Sequence, residues 1–445
     1  MTRVRIIVSP GEALDCLVGA DTAAVIHYFH FSMSMNKIVT LLLTFVVAFY
    51  SISGVWSDEF MRANENAGTS VNFSEQLFTV VSETNKDNVV FSPFSIRMAM
   101  GIAGLGANGQ TLAEITEAMR LKSLEKEFPA IISMYGIVIK SSDENAHNAA
   151  KQLPVKQDLQ VFIKKGVTVE DGFFEAVKEI SGVEIKELGA NSEILSGGAE
   201  ENLEHSQLVI RNILKFSGRW SNPFSSVCSL PFHLEEERAV PAMFMVDDEQ
   251  FFEVVDFGDR FGFLLNFAKE NPTHPDFAMI FIVPKEIGGI DDIMKGIAEG
   301  LLSEWITKIC TSDNPKNYRL YLPRFTMNTS LELKESLISM GMKSAFDVNA
   351  DFSKLSHTPL CITHFFHTAH IDVDEYGVEA SAETSVFYGA IGLRRTPIVR
   401  LDRPFVYLIY DKSNHQVLFM GRCDNPVNSG TLVPSDEQPR LSEHL

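Results

Sequence analysis

The chain has 445 residues, is 45% hydrophobic and carries a formal net charge of −20. That length and apolar content suffice for a large core and allow one large domain or two to three ordinary ones. The acidic balance argues against nucleic acid and anionic membrane as partners, and no basic stripe or zinc-ligand spacing offsets it.

Residues 1–34 show no clear periodicity. Met35-Asn36-Lys37 then leads into an apolar run from Ile38 to Tyr50, followed by the small residues Ser51 and Ser53. One positive charge, a short apolar core and small residues beyond it have the form of a secretory signal peptide over 35–53. The run is shorter than the ~20 residues that cross a bilayer; a membrane anchor or a buried helix is the other reading. The expectation is a secreted, extracellular chain: a non-native extension at 1–34, a folded domain at 58–426 and a tail at 427–445. Asn72-Phe-Ser and Asn328-Thr-Ser are glycosylation sequons usable on that route. The five cysteines form no CxxC pair and read as isolated thiols.

Phe73, Leu77, Phe78 and Val81 recur at helical spacing within a helix expected over Asp58 to Asn85. Asn88 to Phe91 reads as a short strand. Ser92-Pro93 opens a helix whose Ile96 to Leu105 stretch is apolar nearly all round and hence buried. Thr111 to Met119 reads as a helix with a Thr111/Glu114 capping box. Val155 to Ile163 and Leu208 to Phe216 read as strands. Val169 to Ile180 reads as a helix burying Phe173, Phe174 and Val177. Strands follow at Val240–Met245, Gln250–Asp256, Phe261–Ala268 and Phe277–Val283. Ile290 to Ile309 is mostly helical, Tyr318 to Phe325 a strand, and Leu331 to Met340 a helix. Val399–Tyr410 and Val417–Gly421 close the series as strands. With no linker or repeat, this is a single α+β domain of mostly antiparallel sheets.

Asp372 to Arg403 changes character along its length. From Val378 to Val386 one face of a strand would carry Val378, Ala380, Ala382, Thr384 and Val386, and the other Glu379, Ser381, Glu383 and Ser385. Gly389, Gly392, Arg394, Arg395 and Pro397 follow and suit an exposed loop. A segment with the pattern of a half-buried strand thus leads into a protease-attractive loop. His364, His367 and His370 invite a metal reading, but residues three apart on a strand face opposite sides, so no metal is expected. No GxSxG elbow is present, and the chain is not expected to be an enzyme.

Several motifs together resemble the serpins. Asn88-Val-Val-Phe-Ser-Pro-Phe-Ser95, Gly104-Leu-Gly-Ala-Asn-Gly109, Arg211 through Trp220, Tyr321-Leu-Pro-Arg-Phe325, Ala350-Asp-Phe-Ser353, Leu401-Asp-Arg-Pro-Phe405 and Leu418-Phe-Met-Gly-Arg422 match in order. The resemblance implies three β-sheets, about nine helices and an exposed reactive-centre loop. It implies a suicide inhibitor of a secreted serine protease (trypsin-like or chymotrypsin/elastase-like) in which the cleaved loop inserts into the main sheet as a strand. The alternative is a non-inhibitory member acting as carrier, storage protein or chaperone. A monomer without cofactor is implied in either case. Glu375, Gly377, Val378, Glu379, Ala380 and Ala382 match the hinge. Ser92, Ser95, Asn212 and His367 match the polar cluster under the opening sheet, and Trp220 the aromatic where the loop first enters. The bait lies within Ile391, Gly392, Leu393, Arg394 and Arg395: counting from Gly377 gives Ile391, and counting back from Pro404-Phe405 gives Leu393. Between Val183 and Asn212 the chain is about twenty residues shorter than the family pattern, and its sheet-covering helix motif is not recognisable.

Overall fold

The structure is a computed structural model, and it describes residues 70–128, 131, 154–181, 183–188, 206–269, 275–378 and 396–427. All of them lie in the compact unit Asn64–Leu445. The expected signal peptide, the extension before it, the C-terminal tail beyond 427 and the bait lie outside the described residues.

The helices are α1 (70–84), α2 (Pro93–Gly106), α3 (Gly109–Ala118), α4 (124–128), α5 (Asp171–Ser181), α6 (Ile290–Ala298), α7 (Leu302–Thr311) and α8 (Lys334–Ser339). Phe73, Leu77, Phe78 and Val81 are buried, as their spacing requires. Ser92 caps α2, its side chain accepting from the Ser95 N–H, and Pro93 occupies the first turn. Every residue of α2 but Leu105 is buried, because this helix touches strands of two different sheets.

One sheet has six strands in the order β1 (Val89–Phe91), β17 (Gln416–Cys423), β16 (Phe405–Asp411), β10 (Phe277–Pro284), β9 (Arg260–Asn266) and β8 (Val255–Asp256), antiparallel throughout. A second has four: β15 (Ile398–Arg400), β11 (Lys316–Pro323), β7 (Arg238–Phe252) and β6 (Ser226–Glu235). The third has seven: β3 (Glu184–Leu188), β2 (Val155–Lys164), β4 (Leu208–Phe216), β13 (Ile362–Val373), β14 (Gly377–Val378) and β5 (Gly218–Arg219), with β12 (Phe325–Glu332) on the other side of β13. Three sheets and eight helices among the described residues agree with the expected α+β class.

Several boundaries differ from the expectation. Val240–Met245 and the start of Gln250–Asp256, through Phe252, form one strand, β7, and Val255–Asp256 is the separate β8; the acidic stretch Asp247–Glu249 of β7 sits at a register shift against Tyr318/Leu320. The helical stretch from Ile290 breaks at Gly300, which has φ +84°. Thr111 and Glu114 form no capping box. Asn108 is the cap residue, Thr111 lies inside α3 and accepts from the Asp351 N–H at 2.9 Å, and Glu114 binds Ser344. Phe174 is exposed, since Phe173 and Val177, four apart, take the buried face of α5 and Phe174 falls a third of a turn away.

The shortened region has a simple geometry. β3 ends with Leu188 opposite Lys164, and β4 begins with Leu208 opposite Ile163. The end of β3 and the start of β4 thus lie at the same end of the sheet on either side of β2, and residues 189–205 between them lie outside the described residues.

Candidate functional site

β4 and β13 run parallel and hydrogen-bonded from Leu208/Ile362 to Lys215/His370. After Ser217, β5 continues the line of β4. The chain leaving β13 turns through Asp374–Gly377 and comes back as β14, which lies between β13 and β5 and is antiparallel to both: Val378 stands opposite Val373 on one side and Gly218 on the other. The top of the slot between the β4/β5 line and β13 is thus already occupied by the first residues of the loop, and Val378 is fully buried there.

The turn is held from several directions. Asp374 Oδ1 accepts from the N–H groups of Tyr376 (2.8 Å) and Gly377 (3.0 Å), while burial, the largest influence, pushes its carboxyl above the usual aspartate value. The Trp220 indole N–H donates to the Asp374 carbonyl at 2.9 Å, its backbone N–H donates to Tyr376 O, and its ring stacks on Phe267 with centroids 4.7 Å apart. Glu375 pairs with Arg324. Gly377 has φ +155°, and a Cβ there would come within 2.0 Å of the Gly218 carbonyl oxygen. Only glycine fits between these two backbones.

Lower in the slot, on its core face, lies a buried polar cluster. The Ser92 N–H donates to His367 Nε2 at 3.0 Å, Asn212 Nδ2 donates to Ser95 Oγ at 2.8 Å, and the Ser95 hydroxyl donates to Ser92 O. Gln157 Nε2 completes the group by donating to Asn212 Oδ1 at 3.3 Å. Asn212 and His367 face each other across the β4–β13 pair. Burial holds the His367 imidazole down to about 3, so the ring is neutral and free to accept from Ser92.

The structure therefore brings Ser92, Ser95, Asn212 and His367 together, and Trp220, Glu375, Gly377 and Val378 together above them. Glu379, Ala380 and Ala382, with Ile391, Gly392, Leu393, Arg394 and Arg395, lie outside the described residues. His367 faces the core, whereas His364 meets Glu332 at 3.0 Å and His370 meets Asn328 on the outer face. Among the described residues, no cluster of His, Cys, Asp and Glu could hold a metal ion, and no helix is long and apolar enough to cross a membrane. Cys361 and Cys423 are buried, Cys228 and Cys310 half-buried, and all four are free thiols. Asn72 is exposed on α1, while Asn328 is half-buried. Sequence reasoning missed Gln157, Arg324 and Asp374. Gln157 carried a signal, a polar side chain at an inward position of an alternating strand. Arg324 and Asp374 carried none, because their partners are set by long-range turns and pairings.

The site is thus a strand slot: a parallel pair over a polar cluster, with the end of a loop lodged at the top. The chain matches the family profile described as "Serpin (serine protease inhibitor)" over residues 69–196 and 198–426. It belongs to the serpin family. It is 24% identical over 388 residues to a serine protease inhibitor of Cyanea capillata, covering 82% of this chain and 99% of that one. It is 25% identical over 390 residues to neuroserpin of Gallus gallus, covering 81% and 90%. Among solved structures, human thyroxine-binding globulin complexed with its hormone superposes with a TM-score of 0.69 at 23% identity, covering 81% of this chain and 99% of that one. Several of these relatives are named as protease inhibitors, whereas this structural neighbour is named for thyroxine binding.

Proposed function

We propose that this protein inhibits a secreted serine protease as a suicide substrate, its cleaved loop entering the slot between β4 and β13 as a new strand. The observation that carries this reading is β14. Because β14 already runs antiparallel to both β13 and β5, its direction at Val378 is the one an inserted strand needs. Continuing that register would place Ala380 opposite Ile371, Ala382 between Ala369 and Leu214, Thr384 between His367 and Asn212, and Val386 between Phe365 and Ile210. The one inward hydroxyl meets the polar cluster, and the inward aliphatic residues meet apolar neighbours. Glu379 and Glu383 would fall on the outer face, Glu379 opposite Asp372 and Ser217 and Glu383 opposite Thr368 and Ile213, while Ser381 and Ser385 would stand opposite Lys215 and Arg211 of β4. An inserted strand would also replace a parallel pairing by two antiparallel ones, which are slightly more stable per residue.

On this reading Glu375, Gly377, Val378, Glu379, Ala380 and Ala382 are the hinge, Ile391 to Arg395 hold the scissile bond, and the two arginines favour trypsin-like targets. The protein acts outside the cell as a monomer and is consumed by each inhibition; Asn72, exposed on α1, is the better placed glycan acceptor.

Incubation with trypsin, chymotrypsin and elastase tests the reading: inhibition gives a complex that survives SDS and boiling. Ala382→Glu would set a carboxylate between Ala369 and Leu214, both fully buried, at a cost of several kcal/mol, roughly. The variant should be cleaved by the same protease while trapping at least about tenfold less of it. Cleavage of the wild type by all three proteases without a complex would favour a non-inhibitory carrier, storage or chaperone role. The short stretch between β3 and β4 is the observation on that side.

A further inference from the structure

The loop rejoins the fold at β15, and the surface around that junction is unusual for an acidic protein. The Arg319 N–H donates to the Pro397 carbonyl at 2.9 Å, and Ile398 stands opposite Arg319 in the parallel β11–β15 pair. On the next strand, Arg319 Nε meets Asp248 Oδ1 at 2.6 Å, in the register shift that also projects Glu249. Two large apolar side chains flank this ion pair: Phe251 is 59% exposed and Ile398 is 52% exposed. Phe251 pairs with Asn317, two residues before Arg319, so it shares the Arg319–Ile398 face. Exposed aromatic and aliphatic residues beside charge at one place mark an interaction surface more than a solvated one.

We propose that Asp248, Glu249, Phe251 and Ile398 form a docking surface for the protease that takes the bait, one whose rim beside the substrate cleft is basic and apolar. The proposal rests on the inhibitory reading above. Position supports it, because a protease gripping the bait must overlie the strand on which the loop lands. Charge also supports it. Asp247, Asp248 and Glu249 outweigh Arg319, which Asp248 already engages, and Arg400, whose guanidinium lies over the Tyr321 ring, while Lys316 is offset by nearby Glu253. A complementary rim chiefly raises the association rate and makes it salt-dependent.

Cationic and anionic trypsin, which share a specificity and differ in net charge, are suitable probes. The wild type should trap cationic trypsin faster than anionic trypsin, and the ratio should shrink with salt. Glu249→Lys should lower the second-order rate for cationic trypsin about tenfold and flatten its salt dependence. Phe251→Ser should slow both trypsins severalfold, and neither variant should change the fraction of cleaved inhibitor that ends in an SDS-stable complex. Glu335→Lys is the control, with the same charge change on α8, which follows the end of β12 remote from the hinge. If Glu249→Lys behaves like Glu335→Lys while the wild type traps trypsin, the docking surface is wrong and the inhibitory reading stands. A wild type that traps neither trypsin overturns the docking surface, and the inhibitory reading is then decided by chymotrypsin and elastase.

Discussion

The six-stranded and the seven-stranded sheets are both buried over much of their area, yet they are written differently. In the first, β10, β16 and β17 are buried at every position, every pairing is antiparallel, and Phe263, Phe281, Phe405 and Tyr407 pack ring to ring along it. In the second, the central β4–β13 pair is parallel, and beneath it lie Ser92, Ser95, Gln157, Asn212 and His367. Apolar contacts are lost outright when surfaces part, whereas hydrogen bonds can be exchanged for others. The first sheet is built to stay closed, and the second has a seam that can accept new partners.

The comparison breaks most readily in the six-stranded sheet. Phe281 is fully buried with its ring centroid 5.0 Å from that of Phe263 and 6.0 Å from that of Phe405. Phe281→Ala should destabilise the protein by about 3–5 kcal/mol. Denaturant melts should show a similar loss before and after the loop is cleaved, because in the proposed mechanism this sheet takes no part in insertion. A loss confined to the uncleaved form would mean that the two sheets do not divide the work as described.

A pH titration sharpens the seam. The His367 value falls from 6.5 in the unfolded chain to about 3 in the folded protein, so the native state takes up its proton later than the unfolded state. Its contribution to stability is complete above 6.5 and is lost as pH falls from there towards 3, with a slope of up to about 1.4 kcal/mol per pH unit. Protonation would also abolish the acceptor that the Ser92 N–H uses. His367→Gln should flatten the stability profile between pH 6.5 and 4. If the variant keeps the wild-type slope, the acid sensitivity lies elsewhere.

Much of this was legible in the chain because strong periodicity survives tertiary context. α2, β4 and β10 appeared where apolar runs or alternation required them. β6 and β12 did not. Ser226–Glu235 contains Pro231 and is largely exposed at a sheet edge, where no inward row imposes alternation. Phe325–Glu332 alternates Phe325, Met327 and Thr329 against small polar residues, and its Asn, Thr and Ser read as a turn. The alternation from Val378 to Val386 is legible because it is local, and of these residues only Val378 lies among the described ones, where it is buried. The pairing of Glu375 with Arg324 is not legible, because it depends on β12 and β13 lying side by side.

Two reasons for glycine compete at Gly377. As a hinge residue it would be the place where the chain must bend freely. In the fold it is the place where two backbones meet too closely for a side chain, with the Gly218 carbonyl 2.0 Å from where a Cβ would sit. Gly377→Ala should therefore push β14 away from β5 and loosen the Val378–Gly218 pairing, at about 1–2 kcal/mol of native stability. The expected readout is faster hydrogen exchange at the Val378 and Trp220 amides, with amides of the six-stranded sheet unchanged. Free bending predicts the opposite, since alanine would stiffen the hinge and leave β5 in place. Unaltered exchange at Trp220 would therefore favour flexibility over close approach as the reason for glycine.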